Sequence, residues 1–89
     1  MADNRLKLVI ERNIPFIAGV ADVYADVEYL AADDITREAV ADADAIVVRT
    51  RTRCGRDLLE GSRVRLVVTA TIGTDHIDME YCRTKGIEV

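Results

Sequence analysis

Apolar residues fall in short runs separated by polar turns. Leu6-Lys7-Leu8-Val9-Ile10, Val27-Glu28-Tyr29-Leu30, Ala45-Ile46-Val47-Val48 and Leu66-Val67-Val68-Thr69-Ala70 have the length and β-branched content of strands. The third and fourth lack polar alternation, which predicts central strands covered on both faces. The second alternates, as an edge strand with one wetter face does. Helical spacing fills the gaps. Ile17, Val20, Ala21 and Tyr24 follow i, i+3, i+4, i+7, behind Asn13 as a cap and Pro15 in the first turn. Asp33-Asp34 reads as a turn. Thr36 can cap a short helix with Glu38 in its first turn and Val40 facing in, closed by Asp42-Ala43-Asp44. Asp57-Leu58-Leu59-Glu60 is a helical turn stopped by Gly61. Asp78 can cap a helix from Met79 to Lys85, with Gly86 as its stop, and Ile87-Glu88-Val89 opens a fifth strand.

Strand starts at 6, 27, 45, 66 and 87 alternate with helices. That rhythm predicts an α/β domain: a parallel sheet of about five strands in the order 2-1-3-4-5, joined by right-handed crossovers. No linker or domain boundary interrupts the 89 residues. The last strand stops at its third residue, which is expected of a fragment boundary.

Hydrophobic content of 49% is that of a globular domain, and the net charge of −4 argues against general nucleic-acid or membrane binding. No apolar run is long enough to span a bilayer, and Met1-Ala2-Asp3-Asn4 has no apolar leader core. Cys54 and Cys82 match no metal spacing, so two inert thiols in a cytoplasmic protein are expected, with Cys82 on the apolar side of its helix beside Met79. No metal site is expected with a single His.

The chemistry concentrates at the ends of strands three and four. Strand four runs into Thr71-Ile72-Gly73-Thr74-Asp75-His76-Ile77-Asp78 and then a helix start. Short hydroxyls, backbone N–H groups and glycine at a sheet's C-terminal edge suit an anion, and equally suit an ordinary capped turn. Strand three delivers Arg49-Thr50-Arg51-Thr52-Arg53 to the same edge. Arg49 is either a forked cation for a ligand or a partner for an acid such as Asp75. Arg51, Arg53 and Arg56 are a solvated face, or one of them meets a phosphate. His76 is expected to hold the turn rather than to catalyse. The loop after strand one, Glu11-Arg12-Asn13-Ile14-Pro15, lacks the Gly-rich pattern that cradles a pyrophosphate.

Four stretches carry a resemblance. Asn-Ile-Pro at 13–15, Asp-Ala-Asp-Ala-Ile-Val-Val-Arg-Thr at 42–50, Leu-Leu-Glu-Gly at 58–61 and Thr-Ala-Thr-Ile-Gly-Thr-Asp-His-Ile-Asp at 69–78 resemble the D-isomer-specific 2-hydroxyacid dehydrogenases, in order and over nearly the whole chain. Where that family has Asp-Glu-Asn before Ile-Pro, this chain has Glu11-Arg12-Asn13, so no role is carried over to the first loop.

The resemblance implies that residues 1–89 are the N-terminal part of a flavodoxin-like, three-layer substrate-binding domain. The NAD-binding Rossmann domain, and with it the catalytic Arg, Glu and His, would lie outside these residues, as would a segment that returns to complete the first domain. No catalytic, NAD-binding or metal-binding residue is then expected in this chain. Substrate contacts carry over to Thr50, Thr71, Ile72 and Gly73, with Arg49 beside them. The implied ligand is a small phosphorylated hydroxyacid, handled by an NAD-dependent, homodimeric, cytoplasmic enzyme of vitamin B6 biosynthesis. The 89 residues alone are expected to be inactive in hydride transfer and to self-associate. The alternative is a free-standing flavodoxin-like module that binds a small anion or regulates without catalysis. A phosphorylatable receiver is the poorer version of it, since strand three ends in Arg49-Thr50 rather than Asp.

Overall fold

A computed structural model describes residues 6–14, 19, 22, 25–70 and 73–89. Four parallel strands form one sheet: β1 (Leu6–Glu11), β2 (Ala25–Leu30), β3 (Ala45–Val48) and β4 (Leu66–Thr69), in the order β2-β1-β3-β4. Beyond β4, Glu88 bridges to Leu66 in parallel: Glu88 N–H donates to the Arg65 carbonyl at 2.9 Å, and Val67 N–H donates to the Glu88 carbonyl at 2.8 Å. The four strands keep the expected order, and of the expected fifth strand only this single bridge at Glu88 forms. The helix expected over Ile17, Val20, Ala21 and Tyr24 lies outside the described residues.

Register explains the core. Val9, Ile46 and Val67 stand side by side across β1, β3 and β4, and none exposes any surface. Three short helices cover that face: α1 (Arg37–Val40), α2 (Arg56–Leu59) and α3 (Met79–Lys85). They contribute Val40, Leu58, Leu59, Tyr81 and Cys82 to one apolar cluster. Burying each such side chain stabilises the fold by roughly 1.5–3 kcal/mol. Their caps are local. The Thr36 hydroxyl accepts Ala39 N–H at 3.2 Å, and Asp78 Oδ1 accepts Tyr81 N–H at 2.9 Å. Gly86 ends α3 at φ +75, a left-handed conformation that suits glycine.

Four expectations need correction. β4 is not covered on both faces: Val67 is buried, but Leu66 and Val68 on the opposite face are 39% and 41% exposed, because all three described helices pack on the Val67 side. β2 begins two residues earlier than expected, at Ala25, through pairing with Leu6. α2 is set one residue earlier, at Arg56–Leu59, by Gly55 as its first capping residue. Met79 is 46% exposed although Cys82 is fully buried, because the buried face of α3 runs through Tyr81 and Cys82.

At the end away from the strands' C-termini, Asp44 fastens β1. Its Oδ2 accepts Lys7 N–H at 2.8 Å, and its Oδ1 accepts from Arg63 at 2.9 Å. Those two donors hold its carboxyl below the usual carboxylate range.

Candidate functional site

Parallel strands end on the same side of a sheet, so the polar turns after β3 and β4 meet at one edge. They are joined there by main chain. Cys54 and Ile77 form a parallel bridge: Cys54 N–H donates to the His76 carbonyl and Asp78 N–H to the Cys54 carbonyl, both at 2.8 Å. Two adjoining clefts open on this seam. One, of about 200 Å³, is lined by Thr50, Arg53, Gly73, Asp75 and His76. The other, of about 370 Å³, runs from Arg53 to Asp57 and from Asp75 to Asp78. Arg53, Asp75 and His76 belong to both.

The anticipated residues divide as follows. Thr50 and Gly73 face the smaller cleft. Gly73 has φ +93, where a side chain would be strained, so glycine lets main chain approach a ligand there. Thr71 and Ile72 lie outside the described residues. Arg49 is half-buried and turned toward the first loop, where its Nη1 donates to the Asn13 carbonyl at 3.1 Å. Of the two readings of Arg49, the structural one therefore gains a partner, but a backbone carbonyl rather than Asp75.

The other arginines are distinguished by their surroundings. Arg51 lies 3.5 Å from Asp33. Arg56 lies 3.5 Å from Glu60 and stacks over the Tyr81 ring at 5.2 Å. Arg53 has no ion-pair partner among the described residues, and it alone of the three lines the smaller cleft. Sequence reasoning grouped it with its neighbours. The available signal was that acids lie within reach of the others' loops, but Asp33 comes close only through the fold.

His76 is 7% exposed. Its Nε2 lies 3.0 Å from Thr69 Oγ1, and its Nδ1 is buried without a partner. Glu11 Oε1, at the end of β1, and Thr52 Oγ1, in the loop after β3, are likewise buried without a partner among the described residues. Cys54 lines the larger cleft but is 1% exposed, and burial, with a smaller contribution from Cys82, pushes its thiol up to about 12. It is a neutral packing group and not a nucleophile at ordinary pH.

The described residues of the turn after β1, 12–14, use their main chain within the fold. Arg12 N–H is committed to the Leu30 carbonyl at 2.8 Å, Ile14 N–H to the Glu11 carbonyl at 3.3 Å, and the Asn13 carbonyl to Arg49. Among the described residues, these engaged groups do not present a row of free N–H groups of the kind that cradles a pyrophosphate. Among the described residues, no group of three or more His, Cys, Asp or Glu side chains is placed to hold a metal, and no helix is long and apolar enough to cross a membrane.

Comparison with known proteins adds the following. The family model for the D-isomer specific 2-hydroxyacid dehydrogenase, catalytic domain, matches residues 6–89. The erythronate-4-phosphate dehydrogenase of Bacteroides thetaiotaomicron is 54% identical over 84 residues, covering 93% of this chain and 24% of that protein. The protein of the same name in Porphyromonas gingivalis is 43% identical over 82 residues, covering 92% and 22%. Among solved structures, a Pyrococcus horikoshii protein superposes with a TM-score of 0.81 at 26% identity, over 96% of this chain and 28% of its own. The NAD+-bound 3-phosphoglycerate dehydrogenase of Entamoeba histolytica superposes at 0.75 with 24% identity, over 93% and 31%, which shows a shared fold. The chain thus spans about a quarter of the length of the curated relatives it matches.

Proposed function

Because the chain belongs to the D-isomer specific 2-hydroxyacid dehydrogenases, we propose that it is the substrate-holding part of a longer NAD-dependent enzyme acting on 4-phospho-D-erythronate. That enzyme would oxidise the 2-hydroxyl to give 2-oxo-3-hydroxy-4-phosphobutanoate, in the cytoplasm, as a homodimer, on a route to pyridoxal 5'-phosphate. The single observation that carries the reading is the smaller cleft, where Thr50, Gly73 and Arg53, which has no ion-pair partner among the described residues, meet at the C-terminal edge of β3 and β4.

Each group has a role that its chemistry suits. The Thr50 hydroxyl donates to an anion. The N–H groups of Ile72 and Gly73, with the Thr71 hydroxyl, take the carboxylate. Arg53 offers a forked cation to the phosphate, and Arg49 adds positive charge behind Thr50. Asp75 and Asp57 narrow the preference, since a ligand with negative charge all round would be repelled on that side. No step of hydride transfer is assigned to these residues. Their part is to bind and orient.

The balance of free energies sets the affinity expected of these residues alone. Charge-assisted hydrogen bonds contribute about 1.5–3 kcal/mol each and neutral ones about 1, against an association cost of at least ~4 kcal/mol. Dissociation constants near or above about 1 mM follow. The test is an NMR titration with 4-phospho-D-erythronate on the chain and on Thr71→Val. Shifts should map to residues 49–53 and 71–76 and weaken in the variant. Shifts that map elsewhere, or that survive the substitution unchanged, would remove these residues from the site.

A further inference from the structure

His76 lines both clefts, yet neither ring nitrogen is available to a ligand. Nε2 is engaged with Thr69 Oγ1 at 3.0 Å, and Nδ1 is buried. An imidazole so placed cannot transfer a proton to bound substrate, and whatever it does for the site it does through its neighbours. Those neighbours are informative. Thr69 is the last residue of β4, and of the turn residues just before His76, Gly73 and Asp75 line the smaller cleft. Main-chain bonds tie both ends of this turn: Ala70 N–H donates to the Val48 carbonyl at 2.9 Å, and Ile77 N–H to the Thr74 carbonyl at 2.9 Å. The Thr69–His76 side-chain pair spans its base. The His76 carbonyl accepts from Cys54 N–H, so the ring's position is coupled to the loop after β3 as well.

We propose that His76 is a positioning residue whose bond to Thr69 holds Gly73 and Asp75 at the wall of the smaller cleft, and so sets affinity for the anion without touching it. The inference rests on the functional reading above. The tautomer follows from what each ring nitrogen meets. With the proton on Nε2, the ring donates to Thr69 Oγ1 and leaves only a buried lone pair at Nδ1. The other tautomer would bury an N–H with no acceptor, the rarer and costlier arrangement.

The test is a titration of the 15N-labelled chain with 4-phospho-D-erythronate, compared with Thr69→Val, His76→Leu, His76→Gln and the Thr69→Val/His76→Leu double variant. Thr69→Val keeps the β-branched shape and removes only the hydroxyl, so it should stay folded even if His76→Leu does not. Each single loss should weaken binding about three- to tenfold, as loss of one hydrogen bond does. The double variant should be no weaker than the worse single one, and His76→Gln should recover affinity to within about twofold. Ring 15N shifts of the unmodified chain should report a proton on Nε2, and Thr69→Val should move them. Unchanged affinity in a folded Thr69→Val chain, or losses that simply add, would overturn the positioning role while leaving the ligand reading standing. No binding by the unmodified chain would overturn both.

Discussion

Arg49 donates to the carbonyl oxygen of Asn13 across 36 positions of sequence, and so fastens the turn after β1 to the end of β3. One bond from Nη1 leaves the rest of the guanidinium to act on its surroundings, so one residue combines a tie with a cation beside Thr50. Arg49→Met should therefore reduce stability by no more than about 1 kcal/mol and weaken binding of 4-phospho-D-erythronate roughly tenfold. Arg49→Lys should recover the charge but not the fork. Undiminished affinity in Arg49→Met, measured by NMR titration, would confine Arg49 to the tie.

Neighbouring valines on β4 should respond very differently to truncation. Val67 is fully buried in the row with Val9 and Ile46, so Val67→Ala should cost about 2–3 kcal/mol. Val68 is 41% exposed, and Val68→Ala should cost about 0.5 kcal/mol. Urea unfolding checks both, and equal losses would mean that the far face of β4 is covered in solution.

Asp44 supplies an acid-sensitive clamp. The Lys7 N–H and then Arg63 lower its carboxyl from the ordinary 3.8. A folded-state value below the unfolded one stabilises the fold at pH above about 3.8, and that contribution is lost as pH falls through the lower folded value. The chain should thus lose stability on acidification below about pH 4. Asp44→Asn should be about 1–2 kcal/mol less stable at pH 7 and lose less on acidification. Parallel acid slopes for the two proteins in urea melts would exclude Asp44 as a contributor.

Cys54 and Cys82 are 1% and 0% exposed, and burial raises both thiols, Cys54 to about 12. Ellman's reagent at pH 8 should therefore label neither residue faster than the protein opens. Substoichiometric denaturant should accelerate labelling in step with unfolding. A rapid burst from the native chain would refute this.

Local signals were legible in the sequence where a residue needs only its chain neighbours. Thr36 and Asp78 cap their helices, Gly86 stops α3, and its unbroken apolar run marked β3 as an inner strand. What the sequence did not reveal depends on residues brought from afar. Val67 and Val68 are the same side chain in the same strand, and only helix placement decides which is covered. Arg51 and Arg53 differ because Asp33 arrives beside one and not the other. The burial of His76 requires Thr69 to face it across a turn, a relation with no periodic signature. The family resemblance carried over Thr50 and Gly73, which share a cleft, but offered nothing about Arg53, whose standing comes from lacking an acid partner among the described residues.

The bridge between Cys54 and Ile77 has a consequence for how such a chain can vary in length. The backbone leaves the seam at Cys54, builds α2 and β4, and returns to the same point at Ile77. Between those two residues the protein makes a closed excursion, gripped at its mouth by two main-chain hydrogen bonds. A residue inserted beside the exposed Gly61 is the change this excursion absorbs best, because Arg63 and Arg65 are tied to Ala41, Asp44 and Glu88 outside it. One lost from Arg53 or His76 themselves would slip the grip and misalign both clefts together. Tolerance to changes in length should therefore be greatest at Gly61 and nearly absent at the seam.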